Sequence, residues 1–175
     1  MPLEEKTMDP SLLDKAIKFA VDAHHNVPRR GKDFPYIVHP IEVVAIVSTL
    51  TSDQDILAAA ALHDTVEDTE VTIEDIKREF GDRVAKIVED ESDKYAPNLT
   101  IAQSWKMRKQ AAIDRLRDAP IESKMVGLGD KLSNIRAIYR DFCVQGDKLW
   151  NLFHENDPRE HDWHYRGLAA SLRDL

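Results

Sequence analysis

The chain has 175 residues, 42% of them hydrophobic and 32% charged, with a formal net charge of -8 at pH 7. That balance supports one packed core with a solvated exterior, excludes a disordered chain, and argues against broad electrostatic adhesion to nucleic acid or an anionic membrane. A polyanionic small-molecule substrate would then need a local cationic device, either a metal or clustered arginines.

The elements follow in chain order. Residues 1–8 read as a flexible N-terminus, acidic where a secretion signal is basic and followed by no apolar stretch, so the expected location is cytoplasmic. Asp9-Pro10-Ser11 starts a helix, with Asp9 or Ser11 at its cap, and Leu12, Leu13, Ala16, Ile17, Ala20 and Val21 carry helical spacing to about residue 26. Pro28, Gly31 and Pro35 make a loop, and His39-Pro40 opens a second helix with Ile41, Val44, Ala45 and Val47 as its apolar stripe. A third helix covers 55 to about 66 with a buried Ala-rich middle; its apolar run, 56–62, is far below the roughly 20 residues needed to span a bilayer.

Thr72 to Asp75 resembles a capping box that introduces a helix through Phe80, ended by Gly81. Residues 82–93 form another helix, with Val84, Ile87 and Val88 inward and the acidic residues outward, and 94–100 read as a mobile loop. Helical spacing resumes over 104–117, stops near Pro120, and runs again from 121 to about 142. The last stretch starts at Asp157-Pro158 and places Tyr165, Leu168, Ala169 and Leu172 at core-like spacing. No alternating strand pattern emerges, so the fold class is all-α, a single domain over 1–175. The lone Cys143, between Phe142 and Val144, reads as a buried or interface thiol.

The chemistry concentrates where the third helix ends. An apolar run terminates in His63, Asp64, Glu67 and Asp68, which at about 100° per residue span roughly 140° of a helix and face one cavity. Burying such charge requires a cation or a hydrogen-bond network, and imidazole with carboxylate suits Mn²⁺, Fe²⁺, Zn²⁺ or Ni²⁺ better than Mg²⁺ or Ca²⁺. His39, at a helix start, and Asp130, inside an apolar helix, are candidates for further ligands. Each taken alone reads as structural, a capping imidazole and a solvated or salt-bridged carboxylate.

Three segments taken together go further. Arg-Arg-Gly-x-x-x-Pro-Tyr-Ile-x-His-Pro (29–40), Leu-His-Asp-Thr-Val-Glu-Asp-Thr (62–69) and Gly-Asp-Lys-Leu-Ser-Asn-Ile-Arg (129–136) occur in an order that closely resembles the hydrolase domain of the Rel/Spo alarmone family, especially its stand-alone small hydrolases. The resemblance covers about residues 9–142 and is open to the last helix. It implies an HD-domain helical bundle in which His39, His63, Asp64 and Asp130 bind one divalent ion, typically Mn²⁺. Glu67 and Asp68 match the family's catalytic acidic pair, which orients or deprotonates the attacking water. The implied reaction removes pyrophosphate from the ribose 3′ position of ppGpp or pppGpp, giving GDP or GTP. Arg29, Arg30 and Lys32 fall at the family's basic loop near the nucleotide, Asn134 shares a helix face with Asp130, and Tyr165 matches a tyrosine that packs on the nucleotide. Each also has a bland reading: a surface charge run, an exposed amide and a core tyrosine. Lys131 and Arg136 read as solvated residues, His24 and His25 as surface or capping groups with a pocket-supporting role for one of them as the alternative, and the pair His161 and His164 as coincidental.

The chain also departs from the family. Gly127 and Gly129 stand where alarmone hydrolases often carry Lys and Ala, and residues 94–109 are individual, with Trp105 and Arg108 where a segment could cover the pocket. The missing lysine opens an alternative substrate, another nucleotide or phosphorylated metabolite such as the 2′-phosphate of NADPH. A non-catalytic nucleotide-binding protein is the third reading, disfavoured by the intact Glu67-Asp68 pair. The expected partner is a small anionic nucleotide; nucleic acid and membrane are not expected, and a homo-oligomer is admitted. No alarmone synthetase region follows the hydrolase-like one, so synthesis is not expected.

Overall fold

A computed structural model of the chain describes residues 11–29, 31–92 and 101–175. Helix α1, Leu12–Ala23, opens on a capping box in which Ser11 Oγ accepts from the Asp14 backbone N–H and the Asp14 carboxylate accepts from the Ser11 N–H. It stops short of the expected residue 26, where Asn26 turns left-handed at φ 62°. Helix α2, Val38–Val47, buries His39, Val43, Val44, Ile46 and Val47. Ile41 and Ala45, expected inward, are exposed, because the face that buries 39, 43 and 46 leaves 41 and 45 on the opposite side.

Helix α3, Gln54–Leu62, is the central rod, packed against α1, α2 and the later helices over 82–91 and 121–145. Every residue from Ile56 to Leu62 is buried, as expected of an apolar run with no polar face. The helix does not continue to residue 66. It breaks at His63-Asp64 and restarts as α4, Thr65–Asp68. Side chains cause the break: Thr65 Oγ1 donates to the Leu62 carbonyl at 2.6 Å and His63 Nδ1 to the Ala60 carbonyl at 2.9 Å, capturing acceptors at the end of α3.

Helix α5, Ile73–Phe80, carries the expected Thr72/Asp75 capping box and ends at Gly81, whose φ of 90° suits glycine. Helix α6, Asp82–Glu91, turns Val84, Ile87 and Val88 inward. The loop expected at 94–100 lies outside the described residues. Helices α7, Ile101–Asp118, and α8, Ile121–Gln145, are each about a turn longer than their sequence spacing predicts. A 3₁₀ segment, Gly146–Leu152, leads to α9, Pro158–Ser171, capped by Asp157.

The main core gathers α1, α2, α3, α5, α6 and Val126 of α8. A smaller one joins Ile113 and Leu116 of α7 to Leu168 of α9, flanked by Trp163, Tyr165 and Leu172; Ala169, expected there, is exposed. Trp105 is buried against the rings of His161 and His164. That contact gives the two histidines a packing role. Cys143 is exposed rather than buried, because α8 has run past the body of the bundle at that point, as Val144 also shows. Among the described residues there is no strand, only an isolated bridge between Pro28 and Pro35, and no helix long and apolar enough to cross a membrane.

α2 and α8 approach closely at Gly129, where an added Cβ would lie 2.8 Å from Val47 Cγ2 and 2.9 Å from Val43 Cγ1. Those methyls are branched next to the backbone and cannot swing aside. Gly129→Val should therefore destabilise the fold by about 2 kcal/mol, read from denaturant midpoints. An unchanged midpoint would show that the α2–α8 seam is loose.

Candidate active site

Three helix pieces bring the ionisable groups to one cleft. The start of α2 supplies His39, the break between α3 and α4 supplies His63 and Asp64, and the middle of α8 supplies Asp130. His39 Nε2 lies 3.1 Å from Asp130 Oδ1 and 3.3 Å from Asp64 Oδ2; His63 Nε2 lies 3.0 Å from Asp64 Oδ2 and 3.8 Å from Asp130 Oδ1. The cleft, about 290 Å³, is also lined by the acids Glu67 and Asp68 and by Arg29, Lys109, Arg115, Lys131, Asn134 and Tyr165.

Hydrogen bonds at the back of each imidazole fix its tautomer. His63 Nδ1 must be the donor to Ala60 O, since a carbonyl only accepts. Ser133 Oγ donates to Glu42 Oε2 at 2.9 Å, so it accepts from His39 Nδ1, also at 2.9 Å. Both Nε2 atoms are then left as lone pairs, buried and without a hydrogen-bond partner. Two orphaned imidazole nitrogens facing two carboxylates are a donor set for a divalent cation. The ligand atoms of His39, His63 and Asp130 all lie within 4.8 Å of one another, and Asp64 borders them. The residues present fit a metal ion.

Charge balance agrees. Burial opposes charge on His63, but Asp64 and Asp130 outweigh it and raise the imidazole well above its ordinary value. Burial likewise opposes Asp64 and Asp130, yet the histidines pull Asp64 well below the carboxylate range, and Lys131 with both histidines does the same for Asp130. Without an ion, a proton on His63 takes the cation's place.

Further contacts hold the carboxylates in place. Tyr36 donates from Oη to Asp64 Oδ2 at 2.6 Å, and burial together with that carboxylate raises its phenol far above the usual range. Asn134 donates from Nδ2 to Asp130 Oδ1 at 2.5 Å while its Oδ1 accepts from Arg29 at 2.5 Å; Arg29 also lies over the Tyr36 ring. Lys131 is not the solvated residue expected: its ammonium sits 2.5 Å from Asp130 Oδ2 and 3.8 Å from Glu91 Oε2. Tyr165, half-buried on the cleft wall, has its phenol pushed up to about 12 by burial. Lys32, read with the basic loop, lies outside this cleft and is paired with Asp141, and Arg30 lies outside the described residues. Arg136 stays at the surface, as expected. His24 is buried against Tyr36 of the cleft wall, which fits the pocket-supporting alternative and not the surface or capping role.

Glu91, Lys109, Arg115 and Glu42, the partner of Ser133, stand outside the sequence motifs. Glu91 had a signal. It follows Val84, Ile87 and Val88 at i+7, i+4 and i+3, so it occupies the buried stripe of α6.

An HD-domain family model matches residues 16–150, and with the paired histidines and aspartates on three helices it places the chain in the HD-domain family. Within it, the chain is 37% identical over 136 residues to a guanosine-3′,5′-bis(diphosphate) 3′-pyrophosphohydrolase of Xenopus tropicalis, covering 75% of this chain and 72% of that one. It is 44% identical over 77 residues to an Aquifex aeolicus protein of the same description, covering 44% of this chain and 11% of that one. A solved metazoan ortholog of SpoT, described as hydrolysing ppGpp, superposes with a TM-score of 0.74 at 25% identity, covering 95% of this chain and 88% of that chain.

Two outcomes test the centre. A raised His63 contributes stability that is complete below about pH 6.5 and lost as pH climbs through its raised value; depressed Asp64 and Asp130 contribute above about pH 4. In chelator, therefore, the melting temperature should be highest between those limits and fall on the alkaline side. With a divalent metal replacing the proton it should rise with pH instead, and parallel curves in both conditions would sink the assignment. Ser133→Ala, which removes the acceptor behind His39, should weaken metal binding about tenfold by calorimetry; unchanged affinity would show that His39 needs no such support.

Proposed function

We propose that the chain is a metal-dependent phosphohydrolase that removes pyrophosphate from the ribose 3′ position of ppGpp and pppGpp, with one Mn²⁺ held by His39, His63, Asp64 and Asp130. The observation that carries this reading is the pair of buried imidazole Nε2 atoms that make no hydrogen bond among the described residues, face the Asp64 and Asp130 carboxylates, and share a cleft with Glu67 and Asp68. The pyrophosphohydrolase descriptions of the Xenopus tropicalis and Aquifex aeolicus relatives support the substrate. When bound, the ion supplies a lowered pKa for water and offsets charge on the phosphoryl oxygens.

The chain's own residues supply the rest. Glu67 and Asp68 orient the attacking water and accept its proton. Arg29, Asn134 and Tyr165 line the cleft where a nucleotide enters, and Arg29 with Lys131 places positive charge beside an otherwise acidic centre. The bond that breaks joins the ribose 3′ oxygen to phosphorus. Water's hydroxyl ends on pyrophosphate and its remaining proton on the 3′ oxygen, so the products are GDP or GTP and pyrophosphate.

Purified protein with Mn²⁺ should release pyrophosphate from ppGpp, and ppGpp should lead a panel of phosphate esters that includes NADPH. No turnover at high enzyme concentration overturns the reading. Glu67→Gln should lower kcat by about 10² to 10⁴ with Mn²⁺ binding retained, whereas full turnover in that variant removes Glu67 from the chemistry.

A further inference from the structure

Glu91 ends α6, and its side chain is only 8% exposed. Among the described residues it accepts no hydrogen bond; Lys131 Nζ is 3.8 Å away, beyond hydrogen-bond length, and burial pushes the Glu91 carboxyl up against the opposing pull of Lys131, His63 and Arg115. Carboxylates buried this deeply normally collect hydrogen bonds, so one without them calls for an explanation. Glu91 lines the same cleft as the histidine–aspartate cluster.

Gly127 of α8 provides the space. A Cβ at that position would come 3.1 and 3.3 Å from the two Glu91 carboxylate oxygens and 2.7 Å from Leu116 Cδ1. A glycine inside a helix lowers helix stability, and here it leaves room for the carboxylate. Neither residue touches the metal-type donors through any hydrogen bond described above. The cleft thus has a buried, underused acceptor in its wall, one side chain removed from Asp130.

We propose that Glu91 is a specificity-determining residue, accepting a hydrogen bond from an uncharged donor of the bound nucleotide and turning away any substrate that would press a phosphate against it. An anionic oxygen pair takes O–H or N–H groups and repels phosphate oxygens, and Lys131, shared with Asp130, leaves that preference in place. In a guanosine 3′-diphosphate the fitting donors are the ribose 2′-hydroxyl and the 2-amino group of the base. A nucleotide phosphorylated at the 2′ position lacks the first and brings charge in its place. The inference rests on the nucleotide reading above and selects within it.

The test is a set of double-mutant cycles: wild type, Glu91→Gln and Glu91→Ala, each loaded with Mn²⁺, against ppGpp, its 2′-deoxy analogue, its inosine counterpart lacking the 2-amino group, and NADPH. Removing the carboxylate should raise KM for ppGpp about tenfold. The substrate lacking the bonded group should cost wild type a similar factor and cost Glu91→Ala almost nothing further, and this non-additivity identifies the donor. Both variants should also raise kcat/KM for NADPH relative to ppGpp. Additive losses on both analogue arms, or an unchanged NADPH-to-ppGpp ratio, overturn the proposal. Melting temperature and Mn²⁺ affinity check that the variants fold; should Glu91→Ala fail, the isosteric Glu91→Gln carries the same cycle. If wild type hydrolyses none of the substrates, the pyrophosphohydrolase reading fails by itself, and the cycle is read from calorimetric binding of ppGpp and its analogues. Additive binding losses, or no binding of any of them, then overturn the role of Glu91.

Discussion

Two imidazole rings have their protons claimed from behind, and much of the structure follows from that constraint. Ala60 O holds His63 Nδ1, and Ser133 Oγ, itself committed to Glu42, holds His39 Nδ1. Each ring can then offer only Nε2 to the cleft. His63 takes the Ala60 carbonyl where α3 stops at residue 62, so the break in the helix and the tautomer of the histidine are one event. On the other side, α8 must lie close enough to α2 for Ser133 to reach His39, and Gly129 sets that approach. Ligand orientation is thus built from backbone geometry and helix packing.

The acid-rich composition looks at odds with a polyanionic substrate, and the cleft shows how the conflict is resolved. Asp64, Glu67, Asp68 and Asp130 line the cleft, where a cation is called for by the orphaned nitrogens. Lys131, Arg29, Lys109 and Arg115 line the same cleft, with Lys131 directly on Asp130. Net charge of the whole chain says little about a site where both signs meet within a few ångströms.

Much of the helix order was legible because caps and apolar periodicity are local. Ser11 with Asp14, Thr72 with Asp75, and Gly81 each signal a boundary within four residues, and each boundary is found there. The break at His63-Asp64 was not legible, because the residues remain good helix formers in sequence and the interruption comes from side chains capturing carbonyls of α3. The exposure of Ile41 escaped for a related reason. Its helix is apolar nearly all round, and packing against α3 and α8 chose the buried side. His39 and Asp130 depended on family motifs rather than spacing, since their juxtaposition with His63 spans most of the chain. Glu91 escaped because acidic residues on α6 were assigned outward as a group, although its register matched Val84 and Val88.

The basic loop and the acidic centre are also not independent parts. Arg29 reaches Asp130 through the Asn134 amide, and its guanidinium lies over Tyr36, whose hydroxyl holds Asp64. The segment that would meet an incoming anion is therefore tied to both carboxylates of the metal-type cluster, each through a single intervening side chain. Hydrogen bonds in such a chain polarise one another in a low-dielectric setting, so a change at Arg29 alters the carboxylates' alignment as well as the local field. Lys32, three residues past Arg29, pairs instead with Asp141. A charge run that looks uniform in sequence is thereby divided by the fold: one arginine is wired into the centre, while the lysine anchors the loop to α8.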